Sequence, residues 1–515
     1  MSETPAEVVD DFRPSAETEM EPTRGTRRAG GTERDLVVVS NREPYQHGYD
    51  ADGGVVVDEP VGGLTAGLDP VVQRTGGDWV AWGDGEADAV VTDEDDCVAV
   101  PPDDERYTLR RVWLTDDEVT DYYYGYSNRV LWPLCHDLVG RVEVEPRYWE
   151  TYESVNESFG EAAAERATED STVWIQDYHF CLAPKTIRES LPEGANTVQF
   201  WHIPWPSWET FRVVPHAEEL VEGLLANDLL GFHVERYRDN FLDCAAALDG
   251  TRVDREAGVV HVDGRTVRVG AFPMGVDAER IASTAANFDQ HAWAHLAGTY
   301  GIDPNVAVAV GVDRIDYTKG IPERIGALER FWADHPEWRG ELTFVQKSSH
   351  SRSRIPAYER IAEEVTAAVD RVNDRFGTAT WQPIVHVDDH LDQRELYGLY
   401  RHSDLALVSP LKDGMNLVAK EYAAAQVDDD GVLLLSEFAG AHEELDEAVQ
   451  INPHSRDGFA TAIHRALSMS TVERRRRMRS LRERVRDNDL DAWVTDVLDA
   501  ASRDPEALRA GGRDV

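Results

Sequence analysis

Short apolar, β-branched runs alternate with helical stretches along most of the chain, and this alternation limits the possible folds more than any other feature. Runs of this kind are typical of strands buried on both faces of a parallel sheet, with helices covering those faces. The sequence therefore predicts an α/β fold of two Rossmann-like, doubly wound domains. The predicted strands are 35–40, 172–176, 197–201, 229–232, 306–311, 342–345, 384–387, 405–408 and 432–435.

A Pro/Gly-containing connector at residues 272–277 interrupts the alternation, and 515 residues are too many for one core. Because parallel strands bind ligands at their carboxyl ends, we expect the active site in the cleft between the two domains. The predicted segments are a disordered acidic and polar extension (1–34), an N-terminal domain (35–272), a C-terminal domain (273–480), a helical segment packing back on the N-terminal domain (481–502) and a flexible tail (503–515).

The formal net charge is −45, and the chain has only five lysines against 47 arginines. Dispersed acid with scarce lysine is typical of a surface kept soluble in concentrated salt, which screens the repulsion between carboxylates. We therefore expect a cytoplasmic enzyme of a halophile. Such a surface repels nucleic acid and anionic membranes, so neither is an expected partner.

Other sequence signals exclude several classes of protein. No run of 18 apolar residues and no signal peptide is visible, which argues against a membrane protein or an exported one. The four cysteines are widely spaced and are expected to be reduced. Neither a Gly-x-Gly-x-x-Gly turn nor a P-loop follows any predicted strand. The Asp-x-Asp pairs at 50–52 and 93–95 lie in loop-like sequence, so no metal site is expected there.

The segment 410–421, with sequence PLKDGMNLVAKE, follows the predicted strand 405–408 and leads into a helix. A strand, a Gly turn and a helix N-terminus place unpaired N–H groups and the positive end of the helix dipole together, which suits a diphosphate. Glu421 lies farther along that helix, within reach of ribose hydroxyls. An ordinary βα turn with Asp413 as a helix cap is the alternative.

Polar residues follow several other predicted strands at the same edge. Arg314 and Lys319 follow the strand 306–311, where two cations can hold a diphosphate. The alternative is that Arg314 pairs with Asp316 while Lys319 is solvated. Asp177 and His202 follow the strands 172–176 and 197–201, and these clusters are expected to face the same cleft.

Further candidates lie near the first strand. Arg42, in the sequence SNR, is a candidate anion anchor, and the Gly-Gly pair at 62–63 allows backbone to approach a ligand closely. Trp82, Tyr123 and Trp132 offer aromatic faces that pack on sugar rings, although buried core aromatics are commoner. These residues together predict an enzyme that acts on phosphorylated, sugar-like ligands.

Taken together, these motifs resemble the trehalose-6-phosphate synthase family of retaining GT-B glycosyltransferases, over roughly residues 35–495. The motifs that carry the resemblance are SNR (40–42), YY (122–123) with SN (127–128) and LWP (131–133), DYH (177–179), HIP (202–204), DRIDYTKG (313–320) and DGMNLVAKE (413–421). The resemblance implies transfer of glucose from a nucleotide donor, most often UDP-glucose, to glucose 6-phosphate, giving α,α-trehalose 6-phosphate and requiring no cofactor or metal.

The resemblance also implies the site residues. Those implied for the donor are Gly63, His202, Arg314, Lys319, Asp413, Gly414, Met415, Asn416, Leu417 and Glu421. Those implied for the acceptor are Arg42, Trp82, Tyr123, Trp132, Asp177 and Arg352. The catalytic group comprises Asp177, His202, Arg314, Lys319 and Asp413. The 42–62 loop and the segment 348–354 are less like the family than the motifs are.

Three alternatives stay open at this point. A glucosylglycerol-phosphate synthase would use the same donor with glycerol 3-phosphate as acceptor. A phosphorylase-like enzyme would need a lysine bound to pyridoxal phosphate. A sugar-phosphate sensor would bind without catalysis, although every polar position of the family motifs is filled. A homo-oligomer and a separate downstream trehalose-phosphate phosphatase are further partners that the sequence leaves undecided.

Overall fold

The computed structural model describes residues 35–58, 63–349, 352 and 354–502. The predicted extension 1–34, the tail 503–515 and Gly62 lie outside the described residues. Among the described residues, no helix is both long and apolar enough to cross a membrane.

Strands and helices alternate as the sequence predicts. The strands are β1 (Leu36–Arg42), β2 (Gln46–Tyr49), β3 (Val55–Asp58), β4 (Asp78–Trp82), β5 (Cys97–Val100), β6 (Tyr107–Val112), β7 (Thr172–Gln176), β8 (Asn196–Trp201), β9 (Leu229–Phe232), β10 (Arg252–Asp254), β11 (Val259–Val262), β12 (Arg265–Ala271), β13 (Ala307–Arg314), β14 (Leu342–Ser349), β15 (Ile384–Val387), β16 (Leu405–Val408), β17 (Val432–Ser436) and β18 (Val449–Ile451).

The α-helices are α1 (Gly63–Thr75), α2 (Asp88–Val91), α3 (Asp116–Glu118), α4 (Trp132–Cys135), α5 (Pro146–Arg166), α6 (Ala183–Ser190), α7 (Trp208–Phe211), α8 (Ala217–Leu224), α9 (Glu235–Ala246), α10 (Ala278–Ala286), α11 (Gln290–Thr299), α12 (Ile321–Asp334), α13 (Pro356–Phe376), α14 (Gln393–Arg401), α15 (Leu417–Ala425), α16 (Arg456–Leu467), α17 (Thr471–Asp487) and α18 (Leu490–Ser502). Short 3₁₀ turns lie at Val139–Arg141, Tyr178–Phe180, Pro336–Trp338 and Gly440–Glu443, and a π-helix at Val119–Leu131.

Within the described residues, ten strands form one sheet in the order β10-β11-β12-β9-β8-β7-β1-β4-β6-β5. Six others form a second sheet in the order β15-β14-β13-β16-β17-β18, and all of its pairs are parallel. Sequence reasoning predicted a parallel first sheet, and this is wrong at its edges. The hairpin β10–β11–β12 and the pair β5–β6 are antiparallel, because these short strands are joined by tight turns that leave no room for a crossover helix.

The central strands of both sheets are buried along their length, since helices cover both faces. The last helix, α18, packs against the first sheet: the rings of Trp493 and Trp174 lie 5.2 Å apart, and Arg268 of β12 donates to the carbonyl of Ala501 at 3.0 Å. The exact domain boundaries drawn from the sequence stay predictions.

Candidate active site

A cavity of about 790 Å³ lies where the carboxyl ends of strands from both sheets meet. Arg42 ends β1, Asp177 and His202 follow β7 and β8, and Arg314 ends β13. The cavity is lined by Ser40, Asn41, Arg42, Glu43, Gln46, Thr65, Asp84, Tyr123, Trp132, Gln176, Asp177, Tyr178, His179, His202, Ile203, Arg314, Lys319, Arg352 and Asp413. Its volume falls within the usual range of ligand pockets.

One corner of the cavity carries Arg42, Asp84 and Tyr123. The guanidinium of Arg42 lies 2.5 Å from Asp84 Oδ2 and 3.4 Å from the hydroxyl of Tyr123. Its carbon also lies 5.3 Å from the centre of the Tyr123 ring and 5.5 Å from that of Trp82. About half of the Arg42 side chain is exposed, so this cation remains available to an anionic ligand.

Arg352 is buried beside the cavity and holds three partners. It donates to the hydroxyls of Tyr358 at 2.7 Å and Tyr178 at 3.1 Å, and it lies 3.5 Å from Asp316 Oδ2. Within the part of the chain that the structure describes, Asp316 forms its ion pair with Arg352 and Lys319 pairs with Asp413, which differs from the alternative in which Arg314 pairs with Asp316 and Lys319 is solvated. Because these contacts fix the guanidinium in one place, Arg352 can present a preorganised positive charge to the cavity.

The indole ring of Trp132 lies beside two cations. The guanidinium carbon of Arg352 is 4.0 Å from the ring centre and that of Arg314 is 5.7 Å away. Trp132 begins α4, directly after the π-helix Val119–Leu131 that also carries Tyr123. Insertions of π-helix often occur at functional sites, and here the π-helix brings both aromatic side chains to the cavity.

The charges around Tyr123 change its acidity. Burial alone raises the pKa of a phenol, but the neighbouring guanidinium groups of Arg352 and Arg42 outweigh burial and lower the pKa of Tyr123 to about 8. This corner of the cavity therefore favours negative charge strongly enough to lower the pKa of a buried tyrosine. A phosphate group would meet the same attraction.

Lys319 and Asp413 form an ion pair between the loops after β13 and β16. Lys319 Nζ lies 2.6 Å from Asp413 Oδ2, and the same oxygen accepts from the side chain of Asn416 at 3.1 Å. Burial favours the neutral acid, but Lys319 and these hydrogen bonds outweigh it and lower the pKa of Asp413. The cap of α15 is Asn416, whose side chain accepts from the N–H of Ala419, so Asp413 is free of the capping role considered above.

Asp177 and His202 lie together on the first sheet. Asp177 has a left-handed backbone (φ 71°) and accepts from the N–H of His202 at 3.2 Å. Burial raises the pKa of Asp177 to about 7, and it is only partly offset by the backbone N–H groups of Tyr178 and His202 and by the charge of Arg352. Burial and the neighbouring His233 lower the pKa of His202 well below its usual range. The histidine is thus neutral, and its ring nitrogen Nε2 lies 2.9 Å from Gln176 Oε1.

The raised pKa of Asp177 predicts a pH-dependent cost to stability. The folded state holds the proton up to about pH 7, whereas the unfolded chain releases it near 4. The contribution of this group to stability is therefore complete below about pH 4 and lost as the pH rises through about 7. Asparagine does not titrate, so the free energy of unfolding of Asp177→Asn minus that of wild type should be greater at pH 8 than at pH 5.5, by about 1–2 kcal/mol. Denaturant titration at the two pH values measures this difference.

The exposed residue Asp249 provides the control for this experiment. Asp249→Asn should give equal differences from wild type at both pH values. An Asp177→Asn difference that is also the same at both pH values would contradict the prediction.

The structure does not bring all candidate residues into this cavity. Trp82 is buried behind Tyr123, with ring centres 6.0 Å apart. Leu417 and Glu421 instead line a separate cavity of about 210 Å³ together with Arg280 and Tyr397. Gly414, Met415 and Asn416 are not among the described residues that line the main cavity, although Asn416 caps α15; Gly63 begins α1.

Several lining residues were not identified from the sequence. Asp84 pairs with Arg42, and Gln46 donates to the other oxygen of Asp84. Tyr178 positions Arg352, and Gln176 holds His202. Tyr178 lies inside the motif DYH and could have been proposed from it. Nothing in the sequence marks Asp84 or Gln46, because their role depends on contacts between distant segments.

Comparison with known proteins identifies the family to which the chain belongs. Residues 34–503 match the family described as Glycosyltransferase family 20. The trehalose-6-phosphate synthase of Mycolicibacterium paratuberculosis is 39% identical over 486 residues, which cover 93% of this chain and 97% of that protein.

Solved structures resemble the chain over almost its whole length. An Escherichia coli structure described as trehalose-6-phosphate bound with UDP-2-fluoro glucose superposes with a TM-score of 0.80 at 33% identity, covering 90% of this chain and 98% of that one. A Burkholderia xenovorans α,α-trehalose-phosphate synthase (UDP-forming) in complex with glucose-6-phosphate gives a TM-score of 0.80 at 31% identity, covering 91% and 100%. The predicted fold of two Rossmann-like domains is confirmed by these neighbours, and the chain belongs to glycosyltransferase family 20.

Proposed function

We propose that this protein transfers glucose from UDP-glucose to glucose 6-phosphate, with retention of configuration, to give α,α-trehalose 6-phosphate. The observation that carries the proposal is the set of four cations, Arg42, Arg314, Lys319 and Arg352, that line one cavity in a chain of net charge −45. Two phosphorylated substrates need such a concentration of positive charge. The named relatives are trehalose-6-phosphate synthases, which favours glucose 6-phosphate over glycerol 3-phosphate as acceptor.

The donor occupies the side of the cavity built by the second sheet. Arg314 and Lys319 bind the diphosphate, assisted by the backbone N–H groups of Gly414, Met415, Asn416 and Leu417. Asp413 and His202 bind the hydroxyls of the donor glucose, Gly63 allows the backbone of α1 to approach the diphosphate, and Glu421 binds the ribose. What supports this assignment is the 2.6 Å contact between Lys319 and Asp413. It places the residue that binds the diphosphate next to the residue that binds the glucose hydroxyls.

The acceptor occupies the side built by the first sheet. Arg42, Tyr123 and Arg352 bind its phosphate, since their polar ends converge on one corner of the cavity. Trp132 packs on the sugar, with Trp82 supporting Tyr123 from behind. Asp177 accepts a hydrogen bond from an acceptor hydroxyl; what supports this role is that it lines the cavity beside His202.

The chemistry requires one bond to break and one to form on the same face of the donor sugar. The bond between the anomeric carbon and the diphosphate oxygen breaks, and its electron pair goes to the diphosphate. The anomeric hydroxyl oxygen of glucose 6-phosphate bonds to that carbon, and its proton goes to the departing phosphate oxygen. The chain contributes positioning of the two substrates and stabilisation of the leaving group by Arg314 and Lys319.

The test is a matrix of donors and acceptors. Purified protein in molar KCl would be given UDP-, GDP- or ADP-glucose with glucose 6-phosphate or glycerol 3-phosphate, and products would be identified by mass and by the NMR of the linkage. We expect trehalose 6-phosphate with an α,α linkage, formed fastest from UDP-glucose. Formation of a glycerol product alone, or no product from folded protein, would overturn the proposal.

We also infer that the enzyme works in the cytoplasm of a cell with concentrated internal salt. The excess of acid is spread over the surface, whereas lysine is nearly absent from it. Of the five lysines, Lys185 is exposed, and Lys319, Lys347, Lys412 and Lys420 are buried or half-buried in ion pairs and hydrogen bonds. Repulsion between the many carboxylates is then relieved chiefly by dissolved cations.

This inference predicts that salt stabilises the folded protein. Between about 0.1 M and about 1 M KCl the Debye length falls from about 10 Å to about 3 Å, so the repulsion weakens. The thermal midpoint should rise over this range, and most of the rise should occur at the low end. The measurement is a thermal melt at constant pH. A midpoint that stays constant or falls over the range would contradict the inference.

A further inference from the structure

Three side chains of the type that binds transition metals meet outside the active site. His335 directly follows α12, Glu337 lies in the 3₁₀ turn Pro336–Trp338, and His464 lies in α16. Their candidate ligand atoms all lie within 4.8 Å of one another. None of the three lines the catalytic cavity, so the established chemistry of the family does not explain the cluster.

Packing of the two helices holds these side chains together. An added Cβ at Gly326 of α12 would lie only 3.0 Å from a guanidinium nitrogen of Arg456, the first residue of α16. His335 also packs on Phe331, with ring centres 5.4 Å apart. Because His464 lies in α16 and His335 is held at the end of α12 by its contact with Phe331, binding an ion would cost little ordering of the backbone.

The three side chains lie within reach of one ion, but the two imidazole rings are stacked, so their nitrogens must turn to point at a common centre. The ring centres of His335 and His464 lie 3.9 Å apart with planes only 5° from parallel, and His335 Nδ1 lies 3.3 Å from Glu337 Oε1. Ligand bonds of about 2.0–2.1 Å around a tetrahedral ion place neighbouring ligand atoms roughly 3.3 Å apart. Rotations about the terminal side-chain torsions, which are broad for His and Glu, can turn the two rings out of their stack and bring the three ligand atoms onto one ion.

The types of ligand select the class of metal. Two imidazole nitrogens with one carboxylate suit Zn²⁺ and similar borderline ions, whereas Mg²⁺ and Ca²⁺ prefer oxygen ligands alone. His335 is partly buried and Glu337 is mostly exposed, so the cluster opens to solvent on the side of the carboxylate. We propose that His335, Glu337 and His464 bind one Zn²⁺ ion, with water as the fourth ligand, and thereby tie the end of α12 to α16.

Nonspecific binding is the main competing explanation, because a chain of net charge −45 attracts any divalent cation. Two properties separate the two cases. Nonspecific binding depends on charge and so does not distinguish Zn²⁺ from Mg²⁺, and concentrated monovalent salt screens it. Binding by imidazole prefers Zn²⁺ and survives in high salt.

The experiment therefore measures Zn²⁺ binding by the full chain in molar KCl with excess Mg²⁺ present. Protein stripped with chelator and desalted is titrated against a chromophoric Zn²⁺ chelator. The variants are Glu337→Gln, His335→Gln and His464→Gln. His390→Gln, which replaces an exposed histidine outside the cluster, is the matched control. Circular dichroism confirms that each variant is folded, and Glu337→Gln changes a side chain that is mostly exposed.

We expect wild type and His390→Gln to bind one equivalent of Zn²⁺ with the same affinity. In each of the other variants the affinity for Zn²⁺ should fall at least about tenfold, equivalent to about 1.4 kcal/mol. The visible absorption of Co²⁺ bound in place of Zn²⁺ should fall with it. Zinc affinity in Glu337→Gln and in a folded His464→Gln equal to that of wild type would overturn the proposal. So would displacement of the bound Zn²⁺ by Mg²⁺.

Discussion

Replacing either Lys319 or Arg314 by alanine is expected to lower kcat about 10²–10³-fold while the fold is retained. Both cations line the cavity at the carboxyl end of β13, where the proposed leaving diphosphate gains negative charge. Among the described residues Lys319 is the only lysine of the cavity lining, so no neighbouring ammonium group can substitute for it. The loss should appear in kcat, since the charge develops mainly in the transition state.

The measurement is steady-state kinetics of UDP release with glucose 6-phosphate, together with thermal melts. Lys185→Ala is the control, since Lys185 is exposed and its ion pair among the described residues is with the exposed Glu222. It should leave both kcat and the melting temperature close to wild type. Near-normal turnover in Lys319→Ala and Arg314→Ala would refute their role at the diphosphate.

Lys319→Ala has a second consequence that separates it from Arg314→Ala. Lys319 is the nearest cation to Asp413 and lowers the pKa of that carboxyl group. Without it, burial dominates and the pKa of Asp413 rises, so the activity that remains should begin to fall at a higher pH on acidification than in wild type. Arg314→Ala leaves this ion pair intact, so the part of the pH profile that Asp413 sets should stay as in wild type, whereas the pKa of Asp177, which Arg314 helps to lower, should rise.

The fold could be predicted from sequence where strands carry their own signal. The runs at 172–176, 229–232, 384–387 and 405–408 match β7, β9, β15 and β16 residue for residue, because a strand buried on both faces must be apolar along its length. The hairpin β2–β3 and the antiparallel edge β10–β11–β12 were missed. Most of their residues are partly exposed and mixed in polarity, whereas the three valines that begin β3 are apolar but exposed. Pairing between strands, and not burial of an apolar run, makes these segments strands.

The candidate site shows the same limit. Positions after strand ends, such as Arg42, Asp177 and His202, could be predicted to share a cleft, because parallel strands end at one edge. The partners of those residues could not be predicted. Lys319 and Asp413 pair across 94 residues of sequence, and Asp84 meets Arg42 from a neighbouring loop. The separation of Glu421 from the main cavity likewise depends on how the helices pack, so its contact with ribose stays a prediction.

Gly414→Ala is expected to lower kcat/KM at least about 100-fold, although the substitution adds one methyl group. A Cβ at this position would lie 2.0 Å from the carbonyl oxygen of His202, a distance that no packing tolerates. The chain must move apart where the loop after β16 touches the loop after β8. That contact holds Asp413 next to His202, and a displacement of about 1 Å at a reacting centre costs about 10²-fold in rate.

Gly298→Ala separates this steric effect from the general effect of replacing glycine. Gly298 lies on the exposed side of α11 with nothing within 4 Å of the added Cβ, so alanine should leave activity unchanged and stabilise the helix by up to about 1 kcal/mol. Gly414→Ala should instead lower both activity and melting temperature. Wild-type activity in Gly414→Ala would contradict this prediction. The contact between the loops after β8 and β16 would then not be what aligns the donor and acceptor sides of the cavity. The bound substrates themselves would have to align them.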